Sequence, residues 1–287
     1  MKQEEIYELQ REDPRFPEFL RQIADPPQKL YYAGDLSLLS RRCISIVGSR
    51  KTTEYGRRIA ETLAGTLAEA GLCVVSGMAM GIDSCAHRGA LKVEGKTIAI
   101  LGCGIDLDYP AANRGLRQQV QKAGLFLSEY PPGYPGSKYS FPRRNRLISG
   151  ISEATVVVEA GLNSGSLITA GLAMDQGRWV YAVPGNINSI YSMGSNLLIR
   201  DGAMPLVVLD DILDDLHLPV GAHKKERLSL GTDEQQVLSV VEKGGEVTID
   251  LIGNTLKKAT GQVNGIVTIL EMKGLVYTSL GKVFIAK

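Results

Sequence analysis

The chain is predicted to be an α/β protein: an extended Rossmann-like, doubly wound and mostly parallel sheet, followed by a small C-terminal winged-helix domain. Three observations carry this expectation. Short apolar runs recur at Cys43–Val47, Cys73–Ser76, Thr97–Leu101, Leu125–Leu127, Thr155–Val158, Val180–Val183 and Leu206–Leu209. Each is apolar on successive residues, as strands buried on both faces are. Amphipathic stretches alternate with the early runs, and such alternation builds a parallel sheet with helices on both faces. After Leu216 the texture changes to three short helices and a hairpin.

Residues 1–40 read as a polar lead-in, punctuated by Pro14, Pro17, Pro26 and Pro27 and closing on Leu30-Tyr31-Tyr32-Ala33-Gly34. The sheet domain is expected over 41–217. Its first helix runs from Tyr55 to Ala70, with Ile59, Leu63 and Leu67 on one face and Gly71 as a C-terminal stop. A linker is expected over 218–230, where Pro219-Val220-Gly221-Ala222-His223-Lys224-Lys225-Glu226 shows no periodicity. The C-terminal module, 231–287, reads as helix Asp233–Glu242 capped by Thr232, helix Thr248 to Lys257, and helix Gly261 to Lys273 stopped by Gly274. Strands Leu275–Thr278 and Val283–Ala286 then pair across Ser279-Leu280-Gly281-Lys282. A winged helix of this kind binds DNA in many proteins and serves equally as a protein-contact module.

Composition narrows the class. The 287 residues are 44% hydrophobic, enough for a sizeable core, and carry a formal net charge of +1. A nearly neutral chain is not an indiscriminate, histone-like DNA coat. The N-terminus has no apolar run and no segment is long enough to cross a bilayer, so a cytoplasmic protein without membrane contact is expected. Cys43, Cys73, Cys85 and Cys103 lack any C-x-x-C spacing, and His87, His217 and His223 are scattered. Reduced core thiols are therefore expected, with no metal site and no cofactor.

One segment stands apart. Between Glu129 and Glu153 there is no carboxylate, yet Lys138, Arg143, Arg144 and Arg146 fall there, with Tyr130, Tyr134, Tyr139 and Phe141. Guanidinium groups beside aromatic rings suit a flexible polyanion with bases that stack, that is, single-stranded nucleic acid. A solvated basic loop with one aromatic anchor is the plainer alternative.

Glycine-containing turns after the strands form a second signal. In an open parallel sheet they sit at the carboxyl edge, where helix N-termini face ligands. Gly48-Ser49-Arg50, Gly77 within Ser76–Asp83, Gly102-Cys103-Gly104, and Gly165-Ser166 within Glu159–Thr169 are such turns. Ser166 is expected to cap a helix or bind phosphate. Taken singly, each is the glycine that a tight turn requires; together, with Arg50, they point to an anion. Ala90–Thr97 fails as a P-loop because Ala90 replaces a glycine and the segment precedes a strand. Gly102-Cys103-Gly104 fails as a dinucleotide fingerprint because Leu107 replaces the third glycine. Asp83, Asp106, Glu129 and Glu159 lie near strand ends and read as turn caps or arginine partners. His87 reads as a packed histidine, and no catalytic set stands out.

These residues occur in a recognisable order. Gly48-Ser49-Arg50, Val75-Ser76-Gly77, Gly81-Ile82-Asp83, Ala86-His87, Tyr109-Pro110, Phe141-Pro142, Arg144-Asn145-Arg146 and Glu159-Ala160 come first. Ser164 to Ala170, Pro184-Gly185 and Gly194-Ser195-Asn196 follow. The series, over roughly residues 10–217, closely resembles the bacterial DNA-processing protein A family, also called DprA or Smf. The resemblance implies an extended Rossmann domain that binds single-stranded DNA and forms a homodimer. It further implies loading of a RecA-type recombinase on incoming DNA during natural transformation. It assigns Arg50 to the family's pocket arginine and Phe141, Arg144, Asn145 and Arg146 to its DNA-binding segment. Lys138 aligns with a frequent basic position, and Ser166 with the serine of the glycine-rich turn. Many members carry a helical SAM-like domain ahead of the lead-in, for which Met1–Arg11 leaves no room.

Two rival functions have distinct signatures. Rossmann proteins that hydrolyse nucleoside monophosphates to base and ribose phosphate carry a Pro-Gly-Gly-x-Gly-Thr turn; here the region reads Leu162-Asn163-Ser164-Gly165-Ser166. A winged-helix transcription regulator would place arginines on its third helix, which here offers Gln262, Asn264 and Lys273, with Lys257 and Lys258 just before it. A non-enzymatic single-strand binder is the expectation that remains.

Overall fold

A computed structural model describes residues 5–218, 230–272, 275–279 and 281–285. The chain divides into two compact units, residues 1–221 and 222–287.

The first unit is built on a nine-stranded sheet. Its strands are β1 (Tyr7–Gln10), β2 (Lys29–Gly34), β3 (Cys43–Val47), β4 (Cys73–Ser76), β5 (Thr97–Leu101), β6 (Leu125–Ser128), β7 (Ala154–Val157), β8 (Trp179–Ala182) and β9 (Met204–Pro205). The spatial order is β1-β2-β6-β5-β4-β3-β7-β8-β9. Strands β3 to β9 are parallel, whereas β1 and β2 add antiparallel. The chain winds outward from β3 to β6, then returns to place β7 on the other side of β3. The turns after β3 and β7 therefore diverge and leave a crevice at the carboxyl edge.

Helices α1 (Glu18–Arg21), α2 (Glu54–Glu69), α3 (Ile82–Lys92), α4 (Arg114–Ala123), α5 (Ser140–Gly150), α6 (Gly165–Asp175), α7 (Met193–Arg200) and α8 (Asp211–Asp215) complete this unit. Alternation along β3 shows why its run is apolar throughout. Ile44 and Ile46 pack with Ala60, Leu63 and Leu67 of α2, while Cys43 and Val47 join the core beneath α5 and α6. The four cysteines are free and buried.

Three expectations need correction. Residues 1–40 are no lead-in: β1 and β2 belong to the main sheet, and Phe16, Leu20, Ile23 and Leu30 lie in its core. The prolines punctuate short elements there instead of preventing them. The strand expected at Leu206–Leu209 is replaced by the two-residue β9, after which Val207 and Val208 are exposed. Pro205 has no N–H with which to continue a ladder. Strands β7 and β8 each begin one residue earlier than expected, and β6 extends to Ser128.

The second unit contains α9 (Thr232–Gly244), β10 (Glu246–Thr248), α10 (Ile249–Leu256), α11 (Thr260–Met272), β11 (Val276–Ser279) and β12 (Lys282–Ile285). Its sheet order is β10-β12-β11, with β10 between α9 and α10 and the β11–β12 hairpin after α11. Val237, Val241, Ile252, Val263 and Val283 form its core. Gly231, not Thr232, caps α9, and its N–H donates to Glu234 Oε2 at 2.8 Å. Thr248 caps α10 by accepting from the Leu251 N–H at 3.2 Å. The expected linker falls almost wholly on 219–229, and the Gly274 stop also lies outside the described residues.

Candidate nucleic-acid interface

The basic segment folds as a helix, and helical phase divides its cations. Phe141, Arg144, Asn145 and Ile148 share one face at spacings of three and four, and all four line a groove of about 910 Å³ at the carboxyl edge. Arg143 and Arg146 lie on another face. Pro142 does not break α5, because in the first turn its missing N–H has no intrahelical partner to lose.

The helix is docked on the tips of β4 and β5. Ser140 Oγ donates to the Gly102 carbonyl at 2.7 Å. A Cβ on Gly102 would approach Phe141 Cδ1 within 2.7 Å, so only glycine admits the ring so close. The half-buried Phe141 ring stacks on Tyr109, with centroids 5.0 Å apart and planes inclined by 24°. Phe141 lies within the first turn of α5.

Arg144 is buried. Its Nη1 donates to the Gly77 carbonyl at 2.7 Å and to the Ile100 carbonyl, and its Nε donates to Asn145 Oδ1 at 3.3 Å. Burial lowers the pKa of this guanidinium, with the nearby Asp83 opposing the shift. Asp83 is itself buried, and desolvation pushes its carboxyl up while Arg144 and two backbone N–H groups pull it down. Those groups are the N–H of Gly77 at 3.1 Å and of Ala79 at 3.3 Å. The anion-ready turn after β4 is thus filled by the chain's own carboxylate, and Gly77 offers no free amide.

The turn after β3 is similarly tied. The Ser49 N–H donates to the Glu159 carbonyl at 2.7 Å, and Ser49 Oγ donates to the Lys51 carbonyl at 2.6 Å. Glu159 Oε2 accepts from the Thr53 N–H at 3.0 Å. Asp106 accepts from the Gly133 N–H at 2.8 Å. These carboxylates cap turns, as their positions at strand ends suggested. Gly48 and Ser49 therefore shape the groove more than they offer amides. Gly81, at φ +83°, must be glycine as well: a Cβ there would meet the Ser49 carbonyl oxygen at 2.3 Å.

The cations left at the groove are Arg50, Lys51 and Lys138. All three line it and are exposed. Arg50 and Lys51 make no side-chain hydrogen bond or ion pair among the described residues, and Lys138 lies 5.1 Å from the Tyr139 ring centroid. Across the crevice, α6 begins at Gly165 with Ser164 as its cap, and the Ser164 and Ser166 hydroxyls sit 2.8 Å apart. Ser166 is therefore not the cap; it occupies the first turn and lines the groove, as does Gly165. Asn145 Nδ2 donates to the Gly165 carbonyl at 3.3 Å and so bridges the two walls.

Arg143 and Arg146 do not line the groove. Arg146 donates to Glu129 at 2.7 Å and to Asp25 at 3.1 Å, and Arg143 lies 3.8 and 3.6 Å from the same two carboxylates. Asp25 comes from the supposed lead-in, so the sequence gap in acids is closed in space. Among the groove-lining residues that sequence reading missed are Lys51, Ile190 and Tyr191; Tyr109, present in the family series but not assigned to the site, backs the Phe141 ring. His87 is buried as expected, its Nδ1 2.7 Å from Thr97 Oγ1.

Among the described residues no helix is long and apolar enough to cross a membrane, and no three or more His, Cys, Asp or Glu cluster as a metal site. In the second unit, α11 exposes Gln262, Asn264, Thr268 and Ile269 and no arginine or lysine.

Comparison with known proteins agrees on one family. The model of the DNA recombination-mediator protein A family matches residues 8–217. DNA processing protein DprA of Bacillus subtilis is 41% identical over 203 residues, covering 70% of this chain and 68% of that protein. Protein Smf of Escherichia coli is 36% identical over 270 residues, covering 90% and 72%. The X-ray structure of DprA from Streptococcus pneumoniae superposes with a TM-score of 0.71 at 41% identity, covering 74% of each chain. DNA processing protein A of Helicobacter pylori, whose structure describes a single-stranded DNA binding mode, superposes with a TM-score of 0.68 at 33% identity, covering 74% of this chain and 96% of that one. With its family model spanning the whole sheet and relatives more than a third identical over most of its length, this chain belongs to the DNA recombination-mediator protein A family.

Proposed function

We propose that the chain is a non-enzymatic recombination mediator that binds single-stranded DNA in the carboxyl-edge groove. The observation that carries this is the composition of the groove. Its rim holds the exposed Arg50, Lys51 and Lys138, its wall holds Phe141 stacked on Tyr109, and its one carboxylate, Asp83, is consumed by backbone N–H groups. Phosphates lie along the cations, and a base stacks on the free side of Phe141, a contact of about 1–3 kcal/mol in other single-strand binders. Arg144 acts from beneath as a fixed charge. Arg143 and Arg146, spent on Glu129 and Asp25, contribute little.

Family membership supports the remainder of the reading: a cytoplasmic homodimer that protects incoming strands and loads a RecA-type recombinase during natural transformation. The engaged state of Asp83, Asp106 and Glu159 disfavours nucleoside monophosphate hydrolysis, since each is occupied as a turn cap. The uncharged exposed face of α11 disfavours a sequence-reading transcription regulator and suits a protein contact or weak duplex binding. A titration of single-stranded against duplex DNA at two salt concentrations tests the proposal. Single strands should bind more tightly, with affinity falling steeply as salt rises. Equal affinity for both in matched salt would sink it.

A further inference from the structure

At the Lys138 rim of the groove, one aromatic ring has no place in the core. Tyr139 is 73% exposed, against 52% for Trp179, the next most exposed ring among the described residues. The other rings of the same segment are paired: Tyr130 stacks on Tyr134 with centroids 4.6 Å apart, and Phe141 stacks on Tyr109. Tyr139 has no ring partner among the described residues, and its hydroxyl makes no hydrogen bond there. A lone exposed ring is ordinary on a protein surface. Two further features set this one apart.

The first is a cation on one face. Lys138 Nζ lies over the ring, 5.1 Å from its centroid. Lys138 lines the groove, whereas Tyr139 does not. The ring thus stands just beyond the groove, with one face toward the ammonium and the other open to solvent. The second feature is a pinned backbone. Ser137 Oγ accepts from the N–H groups of Tyr139 at 3.3 Å and Ser140 at 3.1 Å. The Tyr139 carbonyl accepts from the Arg143 N–H at 3.1 Å, and Ser140 Oγ ties the same turn to the Gly102 carbonyl. A tyrosine on a fixed turn, with few side-chain torsions to restrict, loses little entropy when a ligand lies on it.

We propose that Tyr139 is a second stacking platform, which receives the first base of the strand beyond the groove while Lys138 holds the adjoining phosphate. The inference rests on the groove being the single-strand interface and extends that interface past Phe141. Phe141 belongs to the groove wall and Tyr139 stands outside it, so the two rings serve different nucleotides. Every base has a π-face, so this platform lengthens the site without adding a sequence preference. Stacking releases no counterion, so it adds affinity and leaves the salt dependence alone.

Fluorescence anisotropy tests this with an oligothymidylate core, trimmed to the shortest length that the groove binds. The core is extended at one end or the other by thymidines or by abasic sugar phosphates. Both tails carry the same charge, and only one carries bases. At one end the thymidine tail should bind the parent about tenfold more tightly than the abasic tail, the scale of a single stacked base. Tyr139→Ala should erase that difference without changing the salt slope or the melting temperature, and Tyr139→Trp should keep it. If the two tails bind alike at both ends, or if Tyr139→Ala retains the difference, the second platform is overturned. The groove reading then still stands on the preference of the untailed core over duplex. If the core binds no better than duplex, the groove reading fails and the platform falls with it.

Discussion

Arg144 lies directly against Gly77, sixty-seven positions earlier in the chain. Its Nη1 donates to the Gly77 carbonyl at 2.7 Å, and a Cβ on Gly77 would stand 2.6 Å from Nη2. The same glycine's N–H is held by Asp83. One residue without a side chain thus lets a buried cation and a buried carboxylate share a single turn, which fixes α5 over the tip of β4. The glycine serves close approach here, and not ligand amides.

Gly77→Ala should therefore destabilise the protein. The guanidinium is pinned by two carbonyls and cannot swing aside freely, so the added methyl overpacks a filled site. A loss of about 1–3 kcal/mol is expected, read from denaturant midpoints. A variant as stable as the parent would show that Arg144 is less constrained than its hydrogen bonds indicate.

Arg146→Ala should separate structural from ligand-facing cations. Arg146 is 7% exposed and bridges Glu129 and Asp25, so its removal strands a mostly buried carboxylate. Breaking a fully buried pair costs about 3–5 kcal/mol; with Arg143 still 3.8 Å from Glu129, a somewhat smaller loss is expected. The folded protein should keep its affinity for single strands and its salt dependence. A normal melting temperature with a flattened salt slope would return Arg146 to the interface.

Most of the sheet was legible because strands buried on both faces are apolar without interruption. Strands β3, β4 and β5 have the bounds expected from their apolar runs. The N-terminal strands were not legible: β2 places two half-buried tyrosines between buried Leu30 and Ala33, without a period of two and directly after a proline-punctuated stretch, and was read as part of a lead-in. At the site, Arg50, Lys138 and Phe141 were identifiable from residue type and setting. The separation of Arg143 and Arg146 from Arg144 was not, because it depends on a helical phase that Pro142 disguised. Their acid partner Asp25 is also distant in sequence. Lys51 looked ordinary until the groove gave it a place.

Stability should depend on pH through His87. Burial, reinforced by Arg144, pulls its pKa down to about 3, while in the unfolded chain it titrates near 6.5. Between those values the unfolded state binds more protons, so His87 makes stability fall as pH drops below about 6.5, by up to about 1.4 kcal/mol per pH unit. Asp83 acts in the opposite sense: its raised carboxyl makes the folded state bind more protons just above the usual carboxylate range. Urea midpoints at pH 7 and pH 5 should drop less in His87→Gln than in the parent. Parallel drops would mean that other groups set the acid limit.

Arg50 and Phe141 should act on one ligand by different physics. They are ninety-one positions apart, yet both line the groove. Arg50 is exposed and makes no ion pair among the described residues, so Arg50→Ala should leave the melting temperature unchanged. It should reduce the slope of log affinity against log salt by about one, the release of a single counterion. Phe141→Ala should leave that slope intact, because stacking carries no counterion term, and should weaken binding by about 1–3 kcal/mol. Some stability will be lost with it, since the half-buried ring packs on Tyr109 and Gly102. That loss should stay below the roughly 3–5 kcal/mol of a fully buried phenylalanine. Melting temperature and salt-dependent affinity measured on the same two variants separate the roles. A destabilised Phe141→Ala protein with native affinity would make the ring structural and leave the groove to bind by charge alone.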